Sequence, residues 1–546
     1  MLKSWLRQEI SGKFPDVEFQ ILTPPDDKMG DYSINLAFVV AKREKTDPMN
    51  AGKNLIGEFS GDKEFGKKFG KIQLVPSGFI NFYLSEDYLR TSLLEIIKEG
   101  EKFGNSEAGK GTKINLEFVS ANPTGPLTVG NARAASFGDT LGNILKKTGY
   151  EVTKEYYVND VGNQVNKLAD STKLRMKELR GEKIEFGPDL YQGEYVKEMA
   201  QEFLKKGISE DEVGEFAIKT MTERAKMSTQ KMGVEFVEWF FESTLHKSGE
   251  VKEVLAKLEF GGFVVEEDGA KWLKMDGDQK ATADGGAPPK AGAVLVKSDD
   301  STTYLLNDIA YTNNKFERGF TSAINIWGAD HHGDVVRLKT GVAALGYDPD
   351  RLEILLHQLV SIKEGGELQK MSKRAGRFVL LDELLSKVGK DAIRFFFLTR
   401  DLNTHMEFDI DLAKKQSKEN PVFYIQYAHA RLNSIFSRIS NFQFPISNYS
   451  KINLNLLKKE EELRLLRDLV RFPDVVEDIS GNYQVHHLAQ YTLNLAADFH
   501  KFYEKHHVIQ ENDAELQSAR LLLSRGVYTV LKICLDLMGL SAPDKM

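Results

Sequence analysis

A single cysteine, Cys534, stands in 546 residues, so the chain has no partner for an internal disulfide and no cysteine set for a zinc cluster. That excludes a secreted disulfide scaffold and a zinc finger, and predicts a reducing, cytoplasmic setting. Long hydrophobic runs are missing as well. Nothing approaches the roughly 18 uncharged apolar residues of a membrane span, and the opening MLKSWLRQEISGKF carries charges through its only apolar stretch. The reading is no signal peptide, no membrane helix and no membrane partner. An excess of positive charge is also lacking. With 73 Lys and Arg against 80 Asp and Glu the net charge is −7, which excludes a nonspecific hold on nucleic acid through overall charge and confines any RNA contact to local patches. What remains is ordinary globular composition, 41% hydrophobic and 28% charged, at a length that divides into about three to four domains.

The order of patterns predicts a multidomain α/β protein. Residues 1–107 read as an N-terminal α+β domain: Leu2, Trp5, Leu6 and Ile10 share a helix face, and KIQLVP and FINFYL are strand-like. Residues 108–400 alternate strand-like and helix-like stretches, among them INLEFVS, EVTKEYYV, AINIWGAD and RLEILLHQLVSI. Such alternation predicts a Rossmann-like parallel sheet with helices on both faces. An insertion of charged helices, EEDGAKWLK included, is read at about 165–300, and DGDQKATADGGAPPKAGA within it as a surface loop. Residues 401–546 read as an all-α helical bundle, in which Leu523, Val527, Val530, Cys534 and Leu537 fall on one buried face and make Cys534 a core residue.

Two stretches carry chemistry. EFVSANPTGPLTVGNARAA leaves a strand, turns at Pro123 to Pro126 and enters a helix just after Gly130 and Asn131. The unpaired N–H groups of a helix start and its dipole suit a nucleotide phosphate, although an ordinary turn would look the same. GGELQKMSKRAGRF places Lys370, Met371, Ser372, Lys373 and Arg374 between glycines; a cationic loop after a parallel strand can neutralise a leaving pyrophosphate, but short basic runs are usually solvated. Gly328 and Asp330, at the carboxyl end of a strand, lie where a parallel sheet presents residues to a nucleotide. The adjacent His331 and His332 are assigned to opposite faces of that strand and to no metal.

Together the two stretches resemble the paired nucleotide motifs of class I aminoacyl-tRNA synthetases. The whole chain resembles the bacterial arginyl-tRNA synthetases in ANPTGPLTVGNARAA, YYVNDVGNQ, TYLLNDIAY, INIWGADHHGDVVRLK, LLHQLV, KMSKRAGRF, DAIRFFFLTRD and ENPVFYIQYAHARLNSIF, in that order. The resemblance implies ATP-dependent activation of L-arginine to arginyl-adenylate and transfer to the 3′ end of tRNA(Arg), by a monomer using ATP as substrate with Mg2+. Catalytic roles fall to Lys370, Lys373, Thr128 and Asn131; ATP contacts to Pro126, Thr128, Gly130, Asn131, Gly328, Asp330, Lys370, Met371, Ser372 and Lys373. A guanidinium needs acids and an aromatic surface. Tyr304 and Asp308, four apart, supply both, and the resemblance adds Glu117, Ser120, Asn122 and His332 to the arginine site. Tyr424, Tyr427 and Arg431, at i, i+3 and i+7 on a helix beginning after Pro421, could stack on unpaired anticodon bases or be half-buried core. The resemblance sets the helical domain on the anticodon stem and the N-terminal domain on the tRNA elbow.

One departure stands out. Where the family usually carries His-x-Gly-His, this chain has Thr128 and Asn131. Both can donate hydrogen bonds but neither carries charge, so either adenylation is weakened or the Lys/Arg loop compensates. The alternatives kept open are a noncatalytic tRNA-binding relative and a class I synthetase for another amino acid.

Overall fold

The computed structural model describes residues 1–24, 26–275, 292–369, 379–438, 449, 451–510 and 512–546. The loop read at DGDQKATADGGAPPKAGA falls almost wholly outside these residues, as do Lys370, Met371, Ser372, Lys373 and Arg374.

The helix Leu2–Lys13 buries Leu2, Leu6 and Ile10, while Trp5 is half-buried against Phe65. The strand-like runs of the first domain form Phe69–Leu74 and Ile80–Leu84, in an antiparallel sheet completed by Ile21–Leu22 and Tyr32–Ile34. The second domain is built on five parallel strands in the order Leu352–His357, Ser322–Gly328, Lys113–Glu117, Glu151–Val158, Glu238–Phe241. Lys113–Glu117 is central and buried on both faces, which is why INLE reads as a continuous rather than an alternating pattern. The strand order reverses beside it, so the carboxyl ends of Lys113–Glu117 and Ser322–Gly328 open the crevice where such sheets bind ligands.

Four segments depart from the sequence reading. RLEILLHQLVSI is two strands, since Leu352–His357 ends the parallel sheet and Val360–Glu364 joins Glu367–Leu368 and Met406–Asp409 in a separate three-stranded sheet. The break has a cause: the Gln358 carbonyl accepts from the buried Arg133 guanidinium at 3.0 Å and its N–H donates to the Leu402 carbonyl at 3.0 Å, so neither continues the ladder. EEDGAKWLK is a hairpin, not a helix. Val264–Glu267 pairs with Ala270–Leu273 across Asp268 and Gly269 at φ 52 and 74, a two-residue Asp-Gly turn. The span read as insertion also returns the aromatic strand Glu238–Phe241 to the parallel sheet; its helices Asn163–Leu179, Glu194–Lys206 and Val213–Lys231 enclose a core of their own around Leu168, Met176, Met199, Phe203 and Met221. Residues after 400 are not purely helical, because Met406–Asp409 is a strand.

The C-terminal bundle contains Pro421–Ser437, Glu460–Asn482, His486–Lys505 and Ala514–Leu537. On the last of these Leu523, Val527, Val530, Cys534 and Leu537 are all buried, and burial pushes the Cys534 thiol up to about 12, consistent with an inert core residue. One apolar core runs from Leu2 and Leu6 through Leu116 and Phe118 to Leu531 and Leu540, spanning all three domains. Its polar centre is Arg394, fully buried, which donates to the carbonyls of Met538 (2.7 Å) and Met232 (3.1 Å) and to Asp139 (2.5 Å). Lys154 holds the other Asp139 oxygen at 2.6 Å. Gly539, at φ +65, lies so close to this guanidinium that a Cβ would collide with it, so glycine is required there on both counts. Among the described residues no helix is long and apolar enough to cross a membrane.

Candidate active site

At the carboxyl ends of the central strands the backbone turns sharply. Val119 and Ser120 follow Lys113–Glu117 at φ 70 and 36, values that a β-branched residue adopts only when its surroundings impose them. The surroundings do so here. The Ser120 hydroxyl accepts the Tyr157 N–H at 3.1 Å, Tyr156 donates to the Ala121 carbonyl at 2.9 Å, and Tyr195 of the insertion donates to the Thr124 carbonyl at 2.8 Å. Thus a strained turn is pinned before the helix Val129–Lys147 begins.

Thr128 and Asn131 form the start of that helix. The Asn131 side-chain oxygen accepts both the Thr128 backbone N–H (2.8 Å) and the Thr128 hydroxyl (3.0 Å). A backbone N–H can only donate, which fixes the amide with its oxygen inward and its two N–H groups outward. The expectation that both side chains donate to phosphate is therefore corrected: the Thr128 hydroxyl proton is spent on its neighbour, and Asn131 is the side chain left with free donors.

A cavity of about 860 Å³ opens over this turn. Of the residues read from sequence, Glu117, Ser120, Asn122, Thr128, Gly130, Asn131, Tyr304, Asp308, Gly328 and Asp330 line it. Pro126 and His332 do not. His331 takes the place expected of His332, because the pair is not on a strand: the strand ends at Gly328, Ala329–His331 is a 3-10 turn and His332 starts the helix His332–Ala344. At Gly328 an added Cβ would stand 2.5 Å from an Asp330 carboxylate oxygen, which would have to turn aside.

Tyr304 and Asp308 sit one turn apart at the start of the helix Tyr304–Glu317, on one face. Thr303 fixes that start by donating its hydroxyl to the Val294 carbonyl at 2.8 Å. Burial pushes the Asp308 carboxyl well above the usual carboxylate range, and the charges of Glu117, Glu242 and Asp334 add to it. A half-buried acid of this kind, whose carboxylate has no hydrogen bond or ion pair to another described residue, is a receptor for a cation. Glu117 differs, since its Oε2 is already bound by the buried Lys315 at 2.7 Å. On the opposite wall Asp334 pairs with His331 (3.4 Å) and Arg337 (3.1 Å), while burial and the Arg133 charge lower His357 to about 4, so it is neutral at physiological pH. Among the described residues no group of three His, Cys, Asp or Glu side chains is placed to hold a metal ion.

The Lys/Arg loop lies outside the described residues, but both its roots are visible. Gln369 donates to the Ile362 carbonyl at 2.8 Å. Beyond the segment 370–378, the Val379 carbonyl accepts from Val129, Leu381 donates to the Leu127 carbonyl at 2.9 Å, and Leu380 bridges Thr128, so the chain is again described where it is hydrogen-bonded to the turn at residues 127–129.

Tyr424, Tyr427 and Arg431 are brought together with one another and not with the cavity. They lie half-buried on Pro421–Ser437, where Arg431 donates to the Tyr427 hydroxyl at 2.6 Å and stands 4.9 Å from the Tyr503 ring centroid, and Tyr424 packs on His500 at 4.4 Å. Sequence reasoning missed Tyr157, Gln164, Trp272, Tyr311, Asn325 and Arg337 in the cavity wall. Tyr157 and Gln164 fall in YYVNDVGNQ, Tyr311 in TYLLNDIAY, where it continues the 304, 308 spacing by three, and Asn325 and Arg337 in INIWGADHHGDVVRLK, so Trp272 alone of the six lay outside the family-like stretches; Gln164 binds Asn122 at 2.9 Å only through tertiary folding.

Three family profiles match the chain: "Arginyl tRNA synthetase N terminal domain" over residues 1–84, "tRNA synthetases class I (R), catalytic domain" over 92–444, and "DALR anticodon binding domain" over 425–546. It is similar to the arginine–tRNA ligase of Carboxydothermus hydrogenoformans, 40% identical over 97% of this chain and 95% of that one. It is likewise similar to the arginine–tRNA ligase of Caldanaerobacter subterraneus subsp. tengcongensis, 40% identical over 97% and 94%. Among solved structures, the arginyl-tRNA synthetase of Thermus thermophilus superposes with a TM-score of 0.76 over 100% of both chains at 21% identity, a likeness of fold.

Proposed function

The chain belongs to the arginyl-tRNA synthetases of class I, and from that premise we propose how its own residues carry out arginine–tRNA ligation. The reaction uses ATP to activate L-arginine and passes the aminoacyl group to tRNA. In the first step a carboxylate oxygen of arginine bonds to the α-phosphorus of ATP as the bond to pyrophosphate breaks. In the second the terminal ribose hydroxyl of tRNA(Arg) bonds to the arginyl carbonyl carbon, and AMP leaves.

The observation that carries the assignment of residues is that one cavity is lined both by Asp308 and Tyr304 and by the Thr128–Asn131 helix start, the two groups that the first step needs. Asp308 and Glu117 take the guanidinium and Tyr304 covers it; Ser120 and Asn122 face the amino acid's own polar groups. His332 is left out of this site, with His331 nearer. Gly130 and Asn131 present N–H donors to the ATP phosphates, and Gly328 and Asp330 face the adenosine. Mg2+ enters with ATP, bound to its phosphates. Lys370 and Lys373 neutralise the pyrophosphate as it leaves. Positioning and charge supply most of the acceleration. The reading also takes the enzyme as a cytoplasmic monomer, with the N-terminal domain and the helical bundle holding tRNA.

Asp308→Asn is the test. It leaves the guanidinium facing a neutral amide, so the arginine KM rises by roughly 10- to 150-fold, the value of a charge-assisted hydrogen bond of about 1.5–3 kcal/mol, while the ATP KM stays nearly constant. Equal effects on the two substrates, measured by arginine-dependent pyrophosphate exchange with tRNA present, remove Asp308 from the arginine pocket.

For tRNA, the cluster on Pro421–Ser437 supplies aromatic and guanidinium planes for unpaired bases. Arg431→Ala is expected to raise the tRNA KM roughly tenfold, at the low end of a stacking contact worth about 1–3 kcal/mol, with the arginine and ATP KM unchanged. An unaltered tRNA KM assigns the cluster to internal packing.

A further inference from the structure

The helix that carries Tyr304 and Asp308 continues along the same face to Tyr311 and Lys315, at spacings of four, three and four. Lys315 is fully buried and reaches the C-terminal end of the sheet from behind the cavity. Its ammonium donates to Glu117 Oε2 at 2.7 Å and to Asn325 Oδ1 at 2.8 Å. These two acceptors are register partners on adjacent parallel strands. The third N–H faces the Tyr311 ring, whose centroid is 4.2 Å away. All three donors are therefore used within the protein, and Lys315 has none for a ligand.

A buried ion pair of this kind is a poor source of stability, because desolvating both charges offsets most of their attraction. Its effect here is on geometry. Glu117 has one oxygen fixed by Lys315, and its Oε1 receives no hydrogen bond from any described residue, while the residue lines the cavity. The neighbouring acids are disposed of separately. Glu155 accepts from Tyr311 and from two nitrogens of Arg318, and Glu242 accepts from Tyr157 and Asn307. Asp334 is held by His331 and Arg337.

We propose that Lys315 is the positioning residue of the arginine pocket: it touches no substrate, but holds Glu117 as a carboxylate with one oxygen spent and the other turned to the guanidinium, which Asp308 meets from the second side. This rests on the arginine pocket assigned above. Burial already pushes the Asp308 carboxyl up in the parent enzyme; without Lys315 the two acids would share one low-dielectric site with no internal cation, Glu117 would lose both its counter-charge and its fixed orientation, and the free pocket would offer arginine less negative charge.

The experiment compares Lys315→Met, Glu117→Gln and the double variant in aminoacylation from pH 6.5 to 9, with far-UV circular dichroism on each. Glu117→Gln is expected to raise the arginine KM by roughly 10- to 100-fold. Lys315→Met raises it by a similar factor at pH 7, with kcat and the ATP KM changed much less. Part of that rise is recovered as pH increases, because the stranded carboxyl ionises only at higher pH; the parent enzyme shows a shallower dependence. The double variant is no worse than Glu117→Gln. An unchanged arginine KM in Lys315→Met, or losses that multiply in the double variant, overturn the proposal. If Glu117→Gln itself leaves the arginine KM unaltered, Glu117 is not an arginine ligand and the proposal falls with it, while Asp308→Asn still judges the pocket. Should the methionine variant not fold, Lys315→Gln, which keeps a donor and loses the charge, gives the same comparison.

Discussion

Lys373→Ala is expected to lower the single-turnover rate of arginyl-adenylate formation about 10²–10³-fold at saturating ATP with tRNA present, and to leave the Kd for ATP almost unchanged. The size follows from the phosphate turn. Thr128 gives its hydroxyl proton to Asn131, and Asn131 offers neutral N–H donors where the family usually has imidazoles. The cations in the described cavity wall, His331 and Arg337, are turned to Asp334. On the proposed assignment, positive charge for the leaving pyrophosphate then falls to the Lys/Arg segment after Gln369, beyond which residues 379–381 are hydrogen-bonded to residues 127–129. An interaction made mainly in the transition state lowers kcat and kcat/KM together, whereas uniform binding shows as KM alone. Lys370→Ala follows the same pattern more weakly. An unchanged rate in Lys373→Ala returns this loop to a solvated run of charge.

Arg394→Met is expected to cost about 3 kcal/mol of stability, near the low end for breaking a buried ion pair, because Asp139 keeps Lys154 as a partner. The arginine joins the catalytic domain to the insertion at Met232, just after the helix Val213–Lys231, and to the bundle at Met538. Its loss strands two buried carbonyls and leaves a void beside Gly539. Burial alone would push the Asp139 carboxyl up; Arg394 and Lys154 hold it below the usual carboxylate range. A lowered urea midpoint with normal arginine and ATP KM in the surviving native enzyme is the expected pattern. A midpoint equal to that of the parent shows that these two junctions do not depend on this side chain. The same junctions bear on truncation: removing residues from about 410 onward strips the continuous core as well as the tRNA contacts, so point substitutions such as Arg431→Ala separate binding from folding where a deletion does not.

Much of this architecture was legible in sequence because the signals were local. The parallel sheet showed itself in alternating strand-like and helix-like stretches, the helix after Asn420 in an Asn–Pro start whose side chain accepts the Val422 N–H, and the buried face of Ala514–Leu537 in its spacing. What was not legible depends on partners far away. Nothing within RLEILLHQLVSI announces a break at Gln358, since the guanidinium that draws off its carbonyl lies 225 residues earlier. EEDGAKWLK contains a turn signal in Asp268 and Gly269, but the third strand, Ala293–Val296, arrives only after the segment 276–291. The site divides in the same way. Tyr304 with Asp308, and the phosphate turn, could be read as spacings; the binding of Glu117 by Lys315 joins residues 198 apart, and the orientation of the Asn131 amide depends on one backbone N–H.

The shared core also bears on how the protein comes into being. Lys3 and Tyr32, 471 and 442 residues ahead of their partner in the chain, bond to Asp474, and Leu93 packs against Gly526. The first domain thus keeps its bundle-facing apolar surface uncovered until the bundle has been made, and the guanidinium of Arg394 waits for the carbonyl of Met538. Helix Ala514–Leu537 is the keystone in time as well as in space: until it is synthesised, each domain is a half-covered surface exposed to aggregation and to chaperones, and native assembly is a post-translational event.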